Sequence, residues 1–286
     1  MKLVSVVVLS YRSAETIIET LDSIKNQTYQ NIELIVTDDC SPDNSVEAAK
    51  DWIERNQGSL RALKLVTAKQ NTGIPGNINR ALKQASGEYV KLIAADDYMA
   101  PEAIKEYVDF CEKNPKTIPI AKVHLFSEKE TAFPEVQQYC SRCYEFAQVR
   151  DYKKQYHMLL KQNCIAAPSG SFYPMQVIRE CGGYDEHYRW FEDYPMNLKV
   201  MHKGYRCGLI DKELVFYRMS SGSITASSQL RLKKTEMKFF FRQKFWYMLG
   251  AGMGWEAVKQ SRSWIKVLFM RENYERKVSG KEMCKR

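Results

Sequence analysis

Nothing in this chain approaches the ~18–20 consecutive apolar residues needed to cross a bilayer. The longest apolar runs are a handful of residues, so the sequence predicts no transmembrane helix. Glycine and proline are sparse, 14 and 9 in 286 residues, too few for a fibrous or low-complexity chain. Residues 1–13 hold one lysine and a short apolar run but no small-residue cleavage site. They read as a first strand and not as a signal peptide. The eight cysteines are scattered through a chain too long to need a disulfide frame. With no export signal they read as free thiols in a reducing cytosol. The one close pair, Cys140 and Cys143, lacks the second Cys or His pair of a structural zinc site. What is present is ordinary for a globular protein: 44% apolar and 27% charged residues. The length admits one large domain or two small ones.

The net charge of +9 is unevenly placed. From Arg231 onward there are 15 Lys and Arg against 5 acids, whereas the first 230 residues hold 28 against 29. A near-neutral body with a basic tail points to an acidic partner, a membrane surface or a nucleic acid. No nucleic-acid-binding motif accompanies the charge, so no nucleic-acid partner is expected.

Residues 3–9, 32–37, 60–66 and 89–93 read as strands. Helical spacing separates them over 14–26, through Trp52 and Ile53, and over 73–85. The almost unbroken apolar run of the first strand suits a strand covered on both faces. Four alternations in under 100 residues predict an α/β fold built of βαβ units with a doubly wound parallel sheet. Ligands on such sheets sit beyond the carboxyl ends of the strands. Three of the four strands end in polar clusters there: Ser10-Tyr11-Arg12, Asp38-Asp39 and Asp96-Asp97. After Pro101 the rhythm loosens. A helix is expected over 101–113, strands over 118–126 and 207–217, and helices over 152–162 and 196–203. Loops are expected at Pro168–Ser171 and Gly182–Asp185.

Adjacent Asp96 and Asp97 offer two hard oxygen ligands that suit Mg²⁺ or Mn²⁺ beside a diphosphate; the competing reading is a solvated turn. Asp38 and Asp39 either cap a strand-to-turn junction or accept an N–H from a nucleotide base. Asn71-Thr72-Gly73, with Asn77 and Asn79, either caps a helix or forms an anion or sugar site at its N-terminus. Glu192 and Asp193 lie between Trp190, Phe191 and Tyr194. Partial desolvation there would raise a carboxyl pKa and suit a general base. The aromatics could stack an acceptor sugar, or simply belong to the core.

Five segments carry a resemblance: SVVVLSYRSAETIIETLDSIKNQTYQNIELIVTDDCSPDNS, NTGIPGNINRAL, ASGEYVKLIAADDYMAP, GGYDEHYRWFEDYPMNLKVMHKGY and ELVFYRMSSGSIT. In this order the chain resembles the inverting glycosyltransferases of family 2. The resemblance implies the GT-A fold, a Rossmann-like, mostly parallel sheet with flanking helices. It implies a nucleotide-sugar-binding half over 1–98, an acceptor-binding half over 99–228 and a basic aromatic helical tail over 229–286. It implies a nucleoside-diphosphate-sugar donor, held by Ser10, Tyr11, Arg12, Glu15, Asp38, Asp39, Asn71, Gly73, Asn79, Asp96 and Arg218. It gives Asp97, with Asp96, to an Mn²⁺ or Mg²⁺ ion, Asp193 to the catalytic base with Glu192 beside it, and Trp190 and Tyr194 to the acceptor. The chain departs from the commonest pattern twice. Ala94 stands where an acid often precedes the Asp pair, and Ile78 stands where arginine is frequent. A diphosphate contact is therefore sought in Arg12 or Arg218.

In the tail, Leu232, Phe239 and Trp246 are spaced by seven, and Ile265, Leu268 and Phe269 share a helical face. Basic amphipathic helices of this kind lie in a membrane interface or pack on their own domain. The resemblance extends to bacterial surface-polysaccharide enzymes and implies a saccharide acceptor, polyprenyl-diphosphate-linked, with the chain peripheral on the inner face of the cell membrane. A second copy of the chain is a candidate partner. The alternatives are a polyprenyl-phosphate sugar synthase and a nucleotide-sugar-binding protein without turnover.

Overall fold

The computed structural model describes residues 1–127, 134–165, 172–219 and 229–265, without the side chains of 229–232. The loop expected at Pro168–Ser171 and the tail residues Leu268 and Phe269 lie outside the described residues. The chain divides after Gln229 into two units.

In the first unit, β1 (Val4–Ser10) pairs in parallel with β2 (Ile32–Asp38) and β4 (Tyr89–Ala94). The sheet continues to β3 (Ala62–Thr67) on one side and to antiparallel β7 (Phe172–Pro174) on the other. The strand period of two sends Val4, Val6 and Val8 to one face. There they join Ile17, Leu21 and Ile24 of α1 (Ile17–Lys25) and Ala49 and Trp52 of α2 (Ser45–Arg55) in one core. Val7 and Ile35 face the other way and are equally buried. Burial on both faces is why the first strand reads as an almost continuous apolar run.

Register sets the site. Ser10 lies opposite Asp38 and Leu9 opposite Ala94, so the three polar strand ends share one edge. α3 (Ile74–Leu82) and α4 (Ala103–Lys113) complete the repeating pattern. A second sheet has the order β5-β8-β6, from β5 (Tyr98–Met99), β6 (Thr117–Phe126) and β8 (Arg206–Arg218). Tyr98 pairs with Phe216, which returns the end of β8 to the Asp96-Asp97 turn. α6 (Tyr152–Lys161) and α8 (Asp193–His202) fall where helical spacing predicts them.

Two helices escape the sequence pattern: α5 (Pro134–Gln148) and the short α7 (Met175–Glu180). The buried face of α5 is Cys140, Cys143, Phe146 and Ala147, a stripe without Leu, Ile or Val. Cys140 and Cys143 are thus core thiols, and burial raises the pKa of Cys140.

The second unit takes up α9 (Gln229–Phe239) after its first residue; this helix runs through a π-helical turn (Phe240–Lys244) into α10 (Phe245–Gly250), and a further helix, α11, covers 254–265. The seven-residue spacing of Phe239 and Trp246 does not put them on one face. Phe239 is 1% exposed and Trp246 63%. The wider π turn between them breaks the 3.6-residue period on which that expectation rested.

Candidate active site

Asp38 is 1% exposed. Its Oδ2 accepts from Ser10 Oγ at 2.7 Å and Ser41 Oγ at 2.6 Å, and its Oδ1 from Ser41 N at 2.8 Å. Ser10 and Asp38 therefore lock the ends of β1 and β2 together. Beyond them the backbone turns sharply, with φ of +56° at Arg12 and +66° at Cys40. Tyr11 and Arg12 are exposed, with the guanidinium over the ring. Glu15 is exposed next to them.

Asp39 holds the Asn71–Gly73 segment. It accepts from Thr72 N, from Thr72 Oγ1 at 2.6 Å, from Gly73 N at 2.8 Å and from Arg80 at 3.1 Å. Burial alone would raise its pKa, but these donors outweigh it and hold the carboxyl below its ordinary value. The same segment is tied to the chain before Glu192. Arg189 donates to Asn71 O at 2.9 Å and Asn71 Oδ1 at 2.8 Å, and Ile74 N donates to Arg189 O at 2.9 Å. Asn79 accepts from Tyr184 N and donates to Tyr184 O and Glu186. It thereby fixes the Gly182–Asp185 loop to α3.

Asp97 is 2% exposed. Its Oδ1 accepts from Arg218 N at 3.0 Å, and Arg218 Nε donates to Asp96 O at 3.1 Å. The Arg218 guanidinium also pairs with Glu19 and lies 4.7 Å from the centre of the Phe126 ring. Burial raises both aspartate pKa values, and for Asp97 the neighbouring Asp96 raises it further. Lys91, on β4, is fully buried over the Tyr107 ring, and burial pushes its pKa down to about 7. Among the described residues, no other residue donates to Asp97 Oδ2 or to the Asp96 carboxylate. Two crowded hard-oxygen donors with open lone pairs fit a divalent cation. Among the described residues there is no third His, Cys, Asp or Glu to complete a protein-only cage. A diphosphate would supply the remaining oxygens.

Glu192 and Asp193 open α8. Asp193 accepts from Tyr194 N at 2.7 Å and from Asn163 Nδ2 at 3.3 Å. Burial raises both pKa values; Glu192, beside Asp193, reaches about 8. Tyr217 precedes Arg218 at the end of β8. Its pKa is pushed up to about 12, first by burial and then by Asp97, Asp96 and, more weakly, Glu192. Trp190 is half-buried with Arg189 over its ring. Tyr194 is 5% exposed and its hydroxyl donates to Leu159 O, so its ring belongs to the core and offers no open face for a sugar.

Glycosyl transferase family 2, as a family model, matches residues 5–182. The chain belongs to this family. It is 33% identical over 175 residues to TarS of Staphylococcus aureus, a poly(ribitol-phosphate) β-N-acetylglucosaminyltransferase, covering 57% of this chain and 29% of TarS. It is 26% identical over 231 residues to WfaP of Escherichia coli, a UDP-Glc:α-D-GlcNAc-diphosphoundecaprenol β-1,3-glucosyltransferase, covering 79% and 81% of the two chains. TarS 1–349 in complex with UDP-GlcNAc shares the fold at TM-score 0.65 and 19% identity, over 85% of this chain and 66% of that one. The mannosyltransferase PcManGT of Pyrobaculum calidifontis, in complex with GDP-Man and Mn²⁺, does so at TM-score 0.62 and 18% identity, over 96% and 80%. The chain spans less than two thirds of TarS and of EpsJ from Bacillus subtilis.

Within this family 2 chain, several site residues were not singled out by sequence reasoning. Arg80, two positions after Ile78, brings a guanidinium to Asp39, whereas Ile78 is 1% exposed. Arg189, Asn163 and Glu19 are isolated polar residues whose partners lie 118, 30 and 199 positions away. No local spacing could have revealed them.

Proposed function

We propose that the chain is an inverting glycosyltransferase. It moves a sugar from a nucleoside-diphosphate sugar, a UDP-sugar, to a hydroxyl of a saccharide carried on a polyprenyl diphosphate, in assembly of a bacterial surface polysaccharide. The observation that carries the reading is the register that brings Ser10, Asp38 and the Asp96-Asp97 turn to one sheet edge, with the segment before Glu192 tied to that edge by hydrogen bonds from Arg189 to Asn71. Asp39 and Asn71 are joined to the same site through Arg189. The UDP-GlcNAc of the TarS complex and the acceptor of WfaP support the donor and acceptor classes.

Asp97 and Asp96 would hold Mn²⁺ or Mg²⁺, which supplies charge neutralisation to the diphosphate leaving group when bound. Asp39, with Asn71 and Gly73, faces the nucleotide side, and exposed Tyr11, Arg12 and Glu15 flank it. Asp193, oriented by Asn163, accepts the proton of the acceptor hydroxyl as that oxygen attacks the anomeric carbon. Trp190 offers the ring on which the acceptor rests. A single displacement inverts configuration and requires no covalent intermediate. A lipid-phosphate acceptor is already ionised and would not call for a carboxyl of raised pKa, so the hydroxyl reading is preferred. The chain meets the inner membrane surface through its tail, where a lipid-linked acceptor would reside.

The test is a panel of nucleotide sugars with Mn²⁺ or Mg²⁺, read by calorimetry and by transfer. One UDP-sugar binds the wild type, and Asp97→Ala abolishes metal-dependent binding. Asp193→Asn keeps donor binding and lowers transfer by about 10²–10⁴. Full transfer by Asp193→Asn would restore the lipid-phosphate reading, and absence of any nucleotide binding would leave only the fold.

A further inference from the structure

In the described part of the second unit, six large apolar side chains are strongly exposed: Phe241 (40%), Trp246 (63%), Leu249 (41%), Trp255 (61%), Val258 (38%) and Ile265 (43%). Among the described residues of the first unit only Met1 and Tyr11 are comparable. The distribution is not random along the helices. Trp255, Val258 and Ile265 fall at i, i+3 and i+10 of α11, a single helical face, and exposed Lys259 and Arg262 lie along it. Lys259 rests over the Trp255 ring. On the preceding helix, Trp246 and Leu249 lie one turn apart, and exposed Arg242 lies in the π turn just before them. A turn with Gly252 at φ +74° separates the helices. The inner positions are Phe239, Phe240, Met248, Met253 and Ala257, all buried. The exposed side chains are therefore a second apolar face, left over after the first has been covered.

We infer that this face docks on an anionic lipid bilayer, with the two tryptophans seated at the headgroup level. The inference deepens the surface contact proposed above and rests on it. Charge selects the occupant. Every strongly exposed charged side chain in the described tail is basic: Lys233, Lys234, Lys238, Arg242, Lys259 and Arg262. The two acids of that stretch, Glu236 and Glu256, are only partly exposed. Two copies of so basic a face would repel, and protein interfaces are depleted in lysine. Tryptophan beside lysine and arginine suits the lipid–water boundary, where the rings lie among headgroups and the cations reach anionic phosphates. Among the described residues no helix is long and apolar enough to cross a membrane, so the helices would lie in the plane of the surface.

The test uses the full chain and sedimentation with vesicles of phosphatidylcholine alone or mixed with phosphatidylglycerol. The wild type partitions to the mixed vesicles and much less to the neutral ones. Trp246→Ser with Trp255→Ser lowers partitioning by at least about tenfold. Lys259→Gln with Arg262→Gln lowers it by about fivefold per charge. Both variants bind nucleotide like the wild type, which shows that they are folded. That binding is measured without vesicles, so failure of the donor reading is seen separately. Equal binding to both vesicle types, or variants that partition like the wild type, overturns the inference. So does a wild-type dimer that these variants dissolve, since the face would then belong to a second copy.

Discussion

At the scale of single residues, the site divides its carboxyls into two kinds by how their burial is answered. Asp39 is 3% exposed, yet its pKa falls because Thr72, Gly73 and Arg80 all donate to it. Asp97 is equally buried, but receives one backbone N–H and faces a second carboxylate, and its pKa rises. The first kind is a permanent anion that organises backbone. The second is a carboxyl whose burial and neighbouring acid outweigh its one N–H donor and the nearby Lys91 and Arg218 charges, the state in which a further cation or a proton is most welcome. Arg189 belongs with Asp39 as an organiser. It is exposed and forms none of the ion pairs among the described residues; its hydrogen bonds go to neutral Asn71. Two charge-assisted bonds are worth about 1–3 kcal/mol each at most. Arg189→Ala is therefore expected to weaken UDP-sugar binding by about tenfold or more in calorimetry. Arg189→Lys should recover little, because a lysine cannot reproduce the planar fork. An unchanged affinity in Arg189→Ala would show that the Asn71 segment holds its shape without the clamp.

Gly73 carries the same connection at the scale of the element. It caps α3 with φ +84°, and a Cβ there would lie 2.7 Å from Arg189 O. Gly73→Ala meets both a left-handed backbone and a backbone clash. It should lower stability by about 1–2 kcal/mol or more and weaken nucleotide binding with it, checked by thermal unfolding and calorimetry on one preparation. This also marks where the sequence was legible. β1, β2 and β4 are buried on both faces and display that in runs that are mostly apolar, broken before their polar ends only by the buried Ser5, Glu33 and Lys91, so their ends, and with them Asp38-Asp39 and Asp96-Asp97, could be placed on one edge. α5 could not be read because its inner stripe is Cys140, Cys143, Phe146 and Ala147. The tail helices could be recognised but not oriented. The π turn over Phe240–Lys244 has no signature in the spacing, and it moves Trp246 off the face that holds Phe239. Of the two readings open for Tyr194, acceptor platform or core, local sequence could not decide, for a simpler reason. An aromatic next to an acid looks the same in sequence whether its ring lines a cleft or, as here, closes the core over Leu159.

For the whole molecule, these carboxyls give activity and stability opposite dependences on pH. A carboxyl whose folded pKa is raised binds more protons in the fold than in the unfolded chain. Its contribution is present below the unfolded pKa and is lost as pH rises through the window between the two values. For Glu192 that window runs from the ordinary 4.5 to about 8, and Asp193 adds to it in the same direction from 3.8. The lowered carboxyls, Asp39 and Glu33, act only below their ordinary values of 3.8 and 4.5, where acid removes their contribution. Lys91, lowered from 10.5 to about 7, stabilises progressively as pH rises above that. The metal-free protein should therefore be most stable near pH 4–5 and lose stability toward pH 7. Each 1 kcal/mol lost lowers Tm by about 2–4 °C in a domain of this size. In the proposed mechanism transfer runs the other way: Asp193 must be unprotonated to accept the acceptor's proton, so kcat is expected to climb as pH rises above the ordinary carboxyl value of 3.8. Glu192→Gln removes one of the two interacting charges. It should flatten the fall of Tm between pH 5 and 7 and leave the rising limb of kcat nearly in place, because Asp193 is raised by its own burial and Glu192, the group raised by its neighbour, is the later of the two to ionise. Thermal unfolding and pH–rate profiles of the two proteins, side by side, test both halves. A Tm slope unchanged by Glu192→Gln would mean that the pair is solvated well enough to ionise at ordinary pH, and the case for Asp193 as a base of raised pKa would fail with it.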